Sequence, residues 1–334
     1  MPTLKSILVA TALATTLVTT SVTGADAETL RFGHYANPSD TPHKAAMMFK
    51  WIVEDMTDKA LEVEVYPAGE LGNSANSLQG VRLGTIDITV TGNPYFTSFA
   101  PQVNVLDLPF LFESPQHAYR VLDGEVGEEL MDSINAVGLQ GLAFWEIGFR
   151  NLTNNERPIH GPADLEGLKL RTTPNPAHIE AFTLLGANPA PMPFAELYSA
   201  LQTGTVDGQE NPTTHIYHSN FHEVQKYLSI TEHAYTAAPL VMNQAKFDSL
   251  PEDQQEALRV AARISAAYER ELNRVLETSS LEAMKAAGVE IDMEPDVDAF
   301  REIVAEKTRA MYAEKFGDDL LAKIDALAPS ASAQ

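Results

Sequence analysis

Cysteine is absent from the 334 residues of this chain. No disulfide can form, no thiolate nucleophile is available, and no lipid can be attached through a lipobox-type cysteine. A chain of this length buries enough apolar surface to fold without disulfides, and it is long enough to make two lobes the expected arrangement.

Positive charge is also scarce, since 23 lysines and arginines face 46 acidic residues, a net charge of −23. Nucleic acid is therefore excluded as a partner, because phosphate binding needs clustered lysine and arginine. The acidic surface repels anions at long range, but salt screens that field beyond ~8 Å. We interpret the acidity as a solubility feature, and any bound anion must be held by local groups.

Long hydrophobic runs are missing after residue 27, so no later segment is expected to span a membrane. The N-terminus combines Lys5, a short apolar run over 7–18 and a small-x-small site at residues 25–27. This pattern predicts a secretory signal peptide over residues 1–27 and a soluble, exported mature protein beginning near Glu28. The alternative, a membrane anchor, is disfavoured because the run is short and rich in threonine.

Catalytic motifs are missing as well: the sequence has no Gly-x-Ser-x-Gly, no His-Glu-x-x-His and no glycine-rich phosphate loop. His215, His218 and His222 are spaced three and four apart, a spacing that could gather them around a metal. Pro212 interrupts the start of that segment, and surface histidines are common on amphipathic helices. We therefore expect no metal, no cofactor and no enzymatic activity.

Alternating strands and helices indicate the fold class. The order strand, helix, strand, helix, strand at the start of the chain predicts a parallel α/β layer architecture. A similar unit begins again further on, which favours two lobes. The predicted strands are 30–35, 61–66, 86–90 and 168–171, and the predicted helices are 43–57, 77–83, 178–185 and 195–202.

One long helix is predicted over residues 250–287. Ser249 and Pro251 form a helix start with acids in the first turn, and apolar residues then recur every three or four positions up to Gly288. Roughly 36 residues span ~54 Å, enough to cross both lobes as a strap. A coiled-coil dimer is the alternative, although the stripe is rich in alanine and lacks a regular leucine seam.

Two arginines stand out in apolar surroundings. Arg150 follows the segment 143–149, and Arg171 closes the strand that begins at Leu168. A buried arginine needs a partner, and its planar fork suits a carboxylate. From spacing alone, an internal salt bridge and a ligand carboxylate are equally good explanations.

Four segments resemble the DctP-type solute-binding proteins of tripartite ATP-independent periplasmic (TRAP) transporters. The longest runs from Leu201 to Gln209-Glu210-Asn211-Pro212; the others are 106–112, 164–171 and 186–194. The resemblance extends from Leu30 to about Gly288. It implies a two-lobed periplasmic binding protein fold with a hinge and one long strap helix.

The lobe boundaries expected from this resemblance follow the two halves of the chain. Lobe I comprises residues 28–149 plus about 237–276. Lobe II comprises residues 150–236 plus about 277–328, and the long helix over 250–287 spans both.

The resemblance also implies roles for particular residues. Arg171 is expected to make a bidentate salt bridge to the ligand carboxylate, and Asn211 to contact the same end. Phe194 lies against the ligand, and Arg150 is a second arginine that faces it.

Further residues complete the expected site. Glu210 and His233 correspond to a pair that orients the carboxylate-binding arginine from behind. The rest of the ligand is expected to be bound by residues of the first lobe, namely Tyr35, Ser74, Thr91, Gly92, Asn93 and Tyr95.

The first lobe departs from the sialic-acid branch of the family, which has a glutamate in place of Gly92 and an arginine in place of Tyr95. The flat apolar faces of Trp145 and Phe194, together with several hydroxyl-binding side chains, favour a sugar acid such as a uronate or aldonate. A C4-dicarboxylate, a keto acid or an aromatic acid is the alternative, and some of the asparagines could serve only in turns. The hydroxyl-binding candidates are Tyr35, Asn73, Asn93, Tyr95 and Asn175.

The resemblance implies a periplasmic protein that captures a small organic acid and presents it to integral membrane permease subunits. The hinge allows the lobes to close on the ligand. An exported enzyme or a sensor ligand domain on the same scaffold is the alternative of another class, because a fold does not fix a function. Ligand-dependent stabilisation without turnover would distinguish the binding protein.

Overall fold

The computed structural model describes residues 27–329, so the predicted signal peptide lies outside the described residues, apart from Ala27. None of the helices in that range combines the length and the apolar character that crossing a bilayer requires.

The described residues form a nine-stranded sheet with helices packed on it. The strands are β1 (Glu28–His34), β2 (Leu61–Tyr66), β3 (Ile88–Val90), β4 (Leu139–Asn154), β5 (Lys169–Thr172), β6 (Asn188–Pro191), β7 (Gly208–Pro212), β8 (Tyr227–Asn243) and β9 (Glu290–Asp292). The helices are α1 (Thr41–Met56), α2 (Ser74–Leu83), α3 (Pro115–Leu122), α4 (Glu125–Asn135), α5 (Pro176–Leu184), α6 (Leu197–Gln202), α7 (Thr213–His218), α8 (Gln244–Ser249), α9 (Glu252–Ala286), α10 (Val297–Phe316) and α11 (Asp319–Asp325).

The sheet is mixed, with strand order β2-β1-β3-β8-β4-β7-β5-β6 and β9 beside β8. β1 runs parallel to β2 and β3, and β5 runs parallel to β6 and β7. Antiparallel pairs join β3 to β8, β8 to β4 and β4 to β7. The predicted parallel architecture therefore holds within each half of the sheet but not across it.

The two long central strands, β4 and β8, were not predicted as such. They are 16 and 17 residues long and largely buried on both faces. A strand buried on both faces lacks the alternation by which strands are recognised in a sequence. Arg150 lies within β4. The apolar run before it had suggested that it stands at the end of a strand.

β4 and β8 connect the two lobes of the molecule. We call the part built on β2, β1 and β3 the first lobe, and the part built on β7, β5 and β6 the second lobe. The register between β4 and β8 shifts between Glu146 and Gly148 and again between Arg150 and Leu152, and Gly148 has φ +117°. Bulges of this kind bend a strand, and here they lie where the chain passes from one lobe to the other.

The long helix α9 agrees with the prediction, apart from its ends. It begins after Pro251 with Glu252 and Asp253 in its first turn, where acids complement the helix dipole. It packs on α1 in the first lobe, on α7 in the second lobe and on β4 between them. The helix therefore contacts elements of both lobes.

Helices α10 and α11 do not lie wholly in the second lobe, to which the sequence analysis assigned about 277–328. Phe300, early in α10, packs in the core of the second lobe, whereas Tyr312 and Ile324 pack with residues of α3 and α4. The ring of His117 in α3 hydrogen-bonds the Ile324 carbonyl at 3.0 Å. The 20 residues of α10 span about 30 Å, which carries the chain back to the first lobe.

Candidate ligand-binding site

A cavity lies between the two lobes, and residues of both lobes form its wall. Nine of the residues expected to bind ligand line it. They are Tyr35, Ser74, Thr91, Gly92, Tyr95, Arg150, Arg171, Phe194 and Asn211.

Arg171 is a buried cation in the cavity wall. It lies on β5 and is 1% exposed, and its Nε and Nη2 donate to the Met192 carbonyl at 3.1 and 3.0 Å. Among residues 27–329, no carboxylate lies within 4.0 Å of its guanidinium. Burial lowers the pKa of Arg171, because the charged form has lost its hydration. An anion entering the cavity would compensate that loss.

Arg150, in contrast, already has its counter-ion. Its Nε contacts Glu210 Oε2, and its Nη2 donates to Glu210 Oε1 at 3.0 Å. Its Nη1 donates to Thr236 Oγ1 at 3.2 Å, and Nη2 also donates to Asn211 Oδ1 at 3.0 Å. Arg150 therefore orients Asn211 and carries no unbalanced charge.

The pair Glu210 and His233 lies behind Arg150, which corrects the expectation that it orients Arg171. The antiparallel register of β4 and β7 sets Arg150 opposite Pro212, so Glu210 is its diagonal neighbour. His233 Nε2 lies 3.4 Å from Glu210 Oε2. Burial alone would raise the pKa of Glu210, but Arg150 and His233 outweigh it and hold that pKa well below its ordinary value.

The first lobe contributes uncharged hydroxyl groups to the cavity. The hydroxyls of Tyr35, Thr91 and Tyr95 are buried, and none of them has a hydrogen-bond partner among the described residues. Burial raises the pKa of Tyr35 well above its ordinary value, so this phenol remains neutral. Unpartnered buried hydroxyls are costly, and polar atoms of a ligand would satisfy them.

Four residues expected at the site lie outside the cavity lining. Asn73 caps α2, and Asn175 caps α5 while donating to Asp107 at 2.7 Å. Asn93 also donates to Asp107 at 2.7 Å, and Trp145 is fully buried in the core of the first lobe. Asn73 and Asn175 therefore have the turn and cap roles that were the alternative explanation, whereas Asn93 is a buried partner of Asp107.

Five lining residues were not predicted as ligand contacts: Pro94, Ile147, Thr173, His215 and Thr236. Ile147 and Thr236 belong to β4 and β8, whose passage beside the cavity depends on strand pairing. His215 was considered only as part of a histidine cluster. No group of three or more metal-binding side chains gathers within residues 27–329, and His215 contacts Asp40 instead.

Two α/β lobes around a cavity lined by two arginines and several hydroxyl groups are the architecture of a solute-binding protein. The chain belongs to the bacterial extracellular solute-binding proteins, family 7 (DctP), whose model matches residues 32–315. These are the solute-binding proteins of TRAP transporters.

Similar proteins cover nearly the whole chain. The 2,3-diketo-L-gulonate-binding periplasmic protein YiaO of Escherichia coli is 42% identical over 301 residues, 90% of this chain and 92% of that protein. A TRAP periplasmic solute-binding protein from Polaromonas sp. JS666, solved bound to D-erythronate, is 35% identical with a TM-score of 0.88, covering 91% of this chain and 100% of that one. A sugar acid binding protein from Advenella mimigardefordensis in complex with galactonate is 34% identical with a TM-score of 0.87, covering 90% and 99%.

Proposed function

We propose that this protein binds a small sugar acid with a single carboxylate, in the periplasm, and delivers it to the permease subunits of a TRAP transporter without transforming it. The observation that carries the proposal is Arg171, a buried guanidinium in the cavity wall with no anionic partner among the described residues. Its free fork suits a carboxylate in bidentate geometry.

The charges around the cavity favour a monoanion. Glu210 balances Arg150, and Asp40 lies against His215, which leaves the charge of Arg171 uncompensated. A C4-dicarboxylate would bring a second negative charge into a buried site where the described lining residues supply no second free cation, and burying such a charge is costly. One carboxylate therefore matches the site better than two.

The hydroxyls of Tyr35, Thr91 and Tyr95 support a polyhydroxylated remainder of the ligand. Neutral donors and acceptors of this kind match sugar hydroxyls, and a purely apolar ligand would leave them unsatisfied. The ligands named for the similar proteins, erythronate, galactonate and 2,3-diketo-L-gulonate, all join one carboxylate to a chain bearing oxygen atoms.

A thermal-shift screen of the purified protein against aldonates, uronates, keto sugar acids and C4-dicarboxylates tests the proposal. An acid present at 100 times its Kd should add about 2.7 kcal/mol to the free energy of unfolding. We expect stabilisation by one or more sugar acids, weaker or no stabilisation by succinate, and full recovery of unchanged acid after incubation. Stabilisation by succinate alone, or conversion of the acid, would contradict it.

A further inference from the structure

Asp40 and His215 come from opposite lobes and meet beside the cavity. Asp40 precedes α1 in the first lobe, and His215 lies on α7 in the second. The Nδ1 atom of His215 hydrogen-bonds Asp40 Oδ2, and both residues are at most 3% exposed. The side chains of Asn37 and Ser39 add hydrogen bonds of 3.4 Å to the His218 carbonyl, so this loop docks on α7.

The carboxylate of Asp40 is firmly held. Its Oδ1 accepts the Thr41 amide at 2.8 Å while its Oδ2 faces His215. Burial would raise the pKa of Asp40, but His215 and the Thr41 amide outweigh that effect and leave the pKa below its ordinary value. The contact is therefore a charge-assisted hydrogen bond in a buried setting, which is stronger than one between neutral groups.

The His215 ring is fixed in the cavity wall on its other sides too. It stacks on Phe194 with 4.7 Å between ring centroids and meets the edge of Tyr35 at 5.5 Å. Because Nδ1 is engaged by Asp40, Nε2 is the ring atom left for a ligand, and it has no hydrogen-bond partner among residues 27–329.

We propose that His215 binds an oxygen atom of the ligand through Nε2 while Asp40, on the opposite lobe, holds the ring in place, so that the pair couples ligand recognition to lobe closure. This inference rests on the proposed function. A contact made only when the lobes meet stabilises the closed state, and any ligand that fixes the ring in the same orientation shifts the population further towards closure. His215 is thus a specificity residue and Asp40 a positioning residue.

Two substitutions separate these roles. His215→Phe keeps a flat ring against Phe194 but removes both nitrogens, and Asp40→Asn removes the charge while leaving a residue that still caps α1. The matched control is Asp292→Asn, because Asp292 contacts the exposed His160 at 2.6 Å away from the cavity. Circular dichroism and thermal unfolding of each variant establish that it folds.

Binding is measured by calorimetry and stopped-flow fluorescence with whichever of D-erythronate, D-galactonate and D-glucuronate stabilises the protein most. We expect His215→Phe to raise Kd roughly tenfold or more, and Asp40→Asn to raise it less, mainly through faster dissociation. In the double variant the loss should not exceed that of His215→Phe, because both changes remove one coupled unit. Unchanged Kd and dissociation rate in both single variants would overturn the proposal.

Lobe closure is measured independently of affinity. The chain has no cysteine, so cysteines introduced at the exposed positions Glu62 and Glu180 can be spin-labelled selectively and their separation measured by double electron–electron resonance. We expect Asp40→Asn to lower the closed fraction with and without ligand, and Asp292→Asn to leave it unchanged. If no acid binds the wild-type protein, the proposed function fails, yet an equal closed fraction in Asp40→Asn would still overturn the coupling itself.

Discussion

At the scale of single residues, two buried arginines of the same cavity have different roles because their neighbours differ. Arg150 is paired with Glu210 and holds Asn211 in position. Within residues 27–329, Arg171 donates to the Met192 carbonyl and has no carboxylate partner, which is why we propose that it binds the ligand anion. Residue type and burial are the same, so the partner determines the role.

Arg171→Ala should weaken binding of the acid identified by thermal shift by about 2–5 kcal/mol, because a buried charged hydrogen bond is lost. Arg171→Lys should also weaken binding, since an ammonium cannot reproduce the planar fork. Isothermal titration calorimetry measures both, with Arg31→Ala on the outer surface as the control. An Arg171→Lys protein with wild-type affinity would show that charge alone matters.

At the scale of elements, the passage of β4 between the lobes depends on its glycine. Gly148 has φ +117°, and a Cβ there would lie 3.4 Å from the Pro212 side chain. Gly148→Ala should therefore lower the free energy of unfolding by about 1–3 kcal/mol. Gly161→Ala is the matched control, because Gly161 has φ −163° and no atom within 4 Å of the new Cβ. Urea denaturation measures both, and equal stability losses would refute the strain argument.

The connection between the 3₁₀ turn over Pro101–Asp107 and α5 should be sensitive to pH. Burial raises the pKa of Asp107 to about 8, despite hydrogen bonds from Asn93 and Asn175. Between about pH 4 and pH 8 the folded protein retains a proton that the unfolded chain has released, so this group's contribution to stability falls as pH rises.

Asp107→Asn mimics the protonated acid and should remove that dependence. The stability of the variant relative to wild type should therefore increase from pH 5 to pH 8, as measured by urea denaturation at both values. Asp298→Asn, at a position 83% exposed, is the control and should show no such trend. A constant difference between Asp107→Asn and wild type would mean that Asp107 is ionised in the folded protein.

At the scale of the whole molecule, an acidic protein of net charge −23 is proposed to bind an anion. The surface field opposes the approach of the ligand, whereas the charge that binds it is buried in the cavity. Association and dissociation should therefore respond differently to salt.

Raising the ionic strength from ~0.01 M to ~0.15 M shortens the screening length from about 30 Å to about 8 Å. The association rate constant of the acid should rise over this range, because repulsion by the surface is screened. The dissociation rate constant should change little, because buried pairs are screened much less. Stopped-flow measurements resolve both constants, and an association rate that falls with salt would show that local positive potential dominates the approach.

Local signals in the sequence determined the class of fold and the family. Alternation and helix-start residues predicted β2, α1 and the long helix α9 within a few residues of their ends, because these features depend on neighbours along the chain. The segment ending in Gln209-Glu210-Asn211-Pro212 identified the family, which the family match over residues 32–315 confirmed.

Only the tertiary structure decided the pairing of side chains distant in sequence. It brought Glu210 to Arg150 across two antiparallel strands, and it brought Asp40 to His215 across the cleft, 175 residues apart. It also buried Trp145 in the core and set Asn93 and Asn175 within hydrogen-bonding distance of Asp107. Which polar residue faces a ligand depends on which partners the fold has already supplied, and no local pattern encodes that choice.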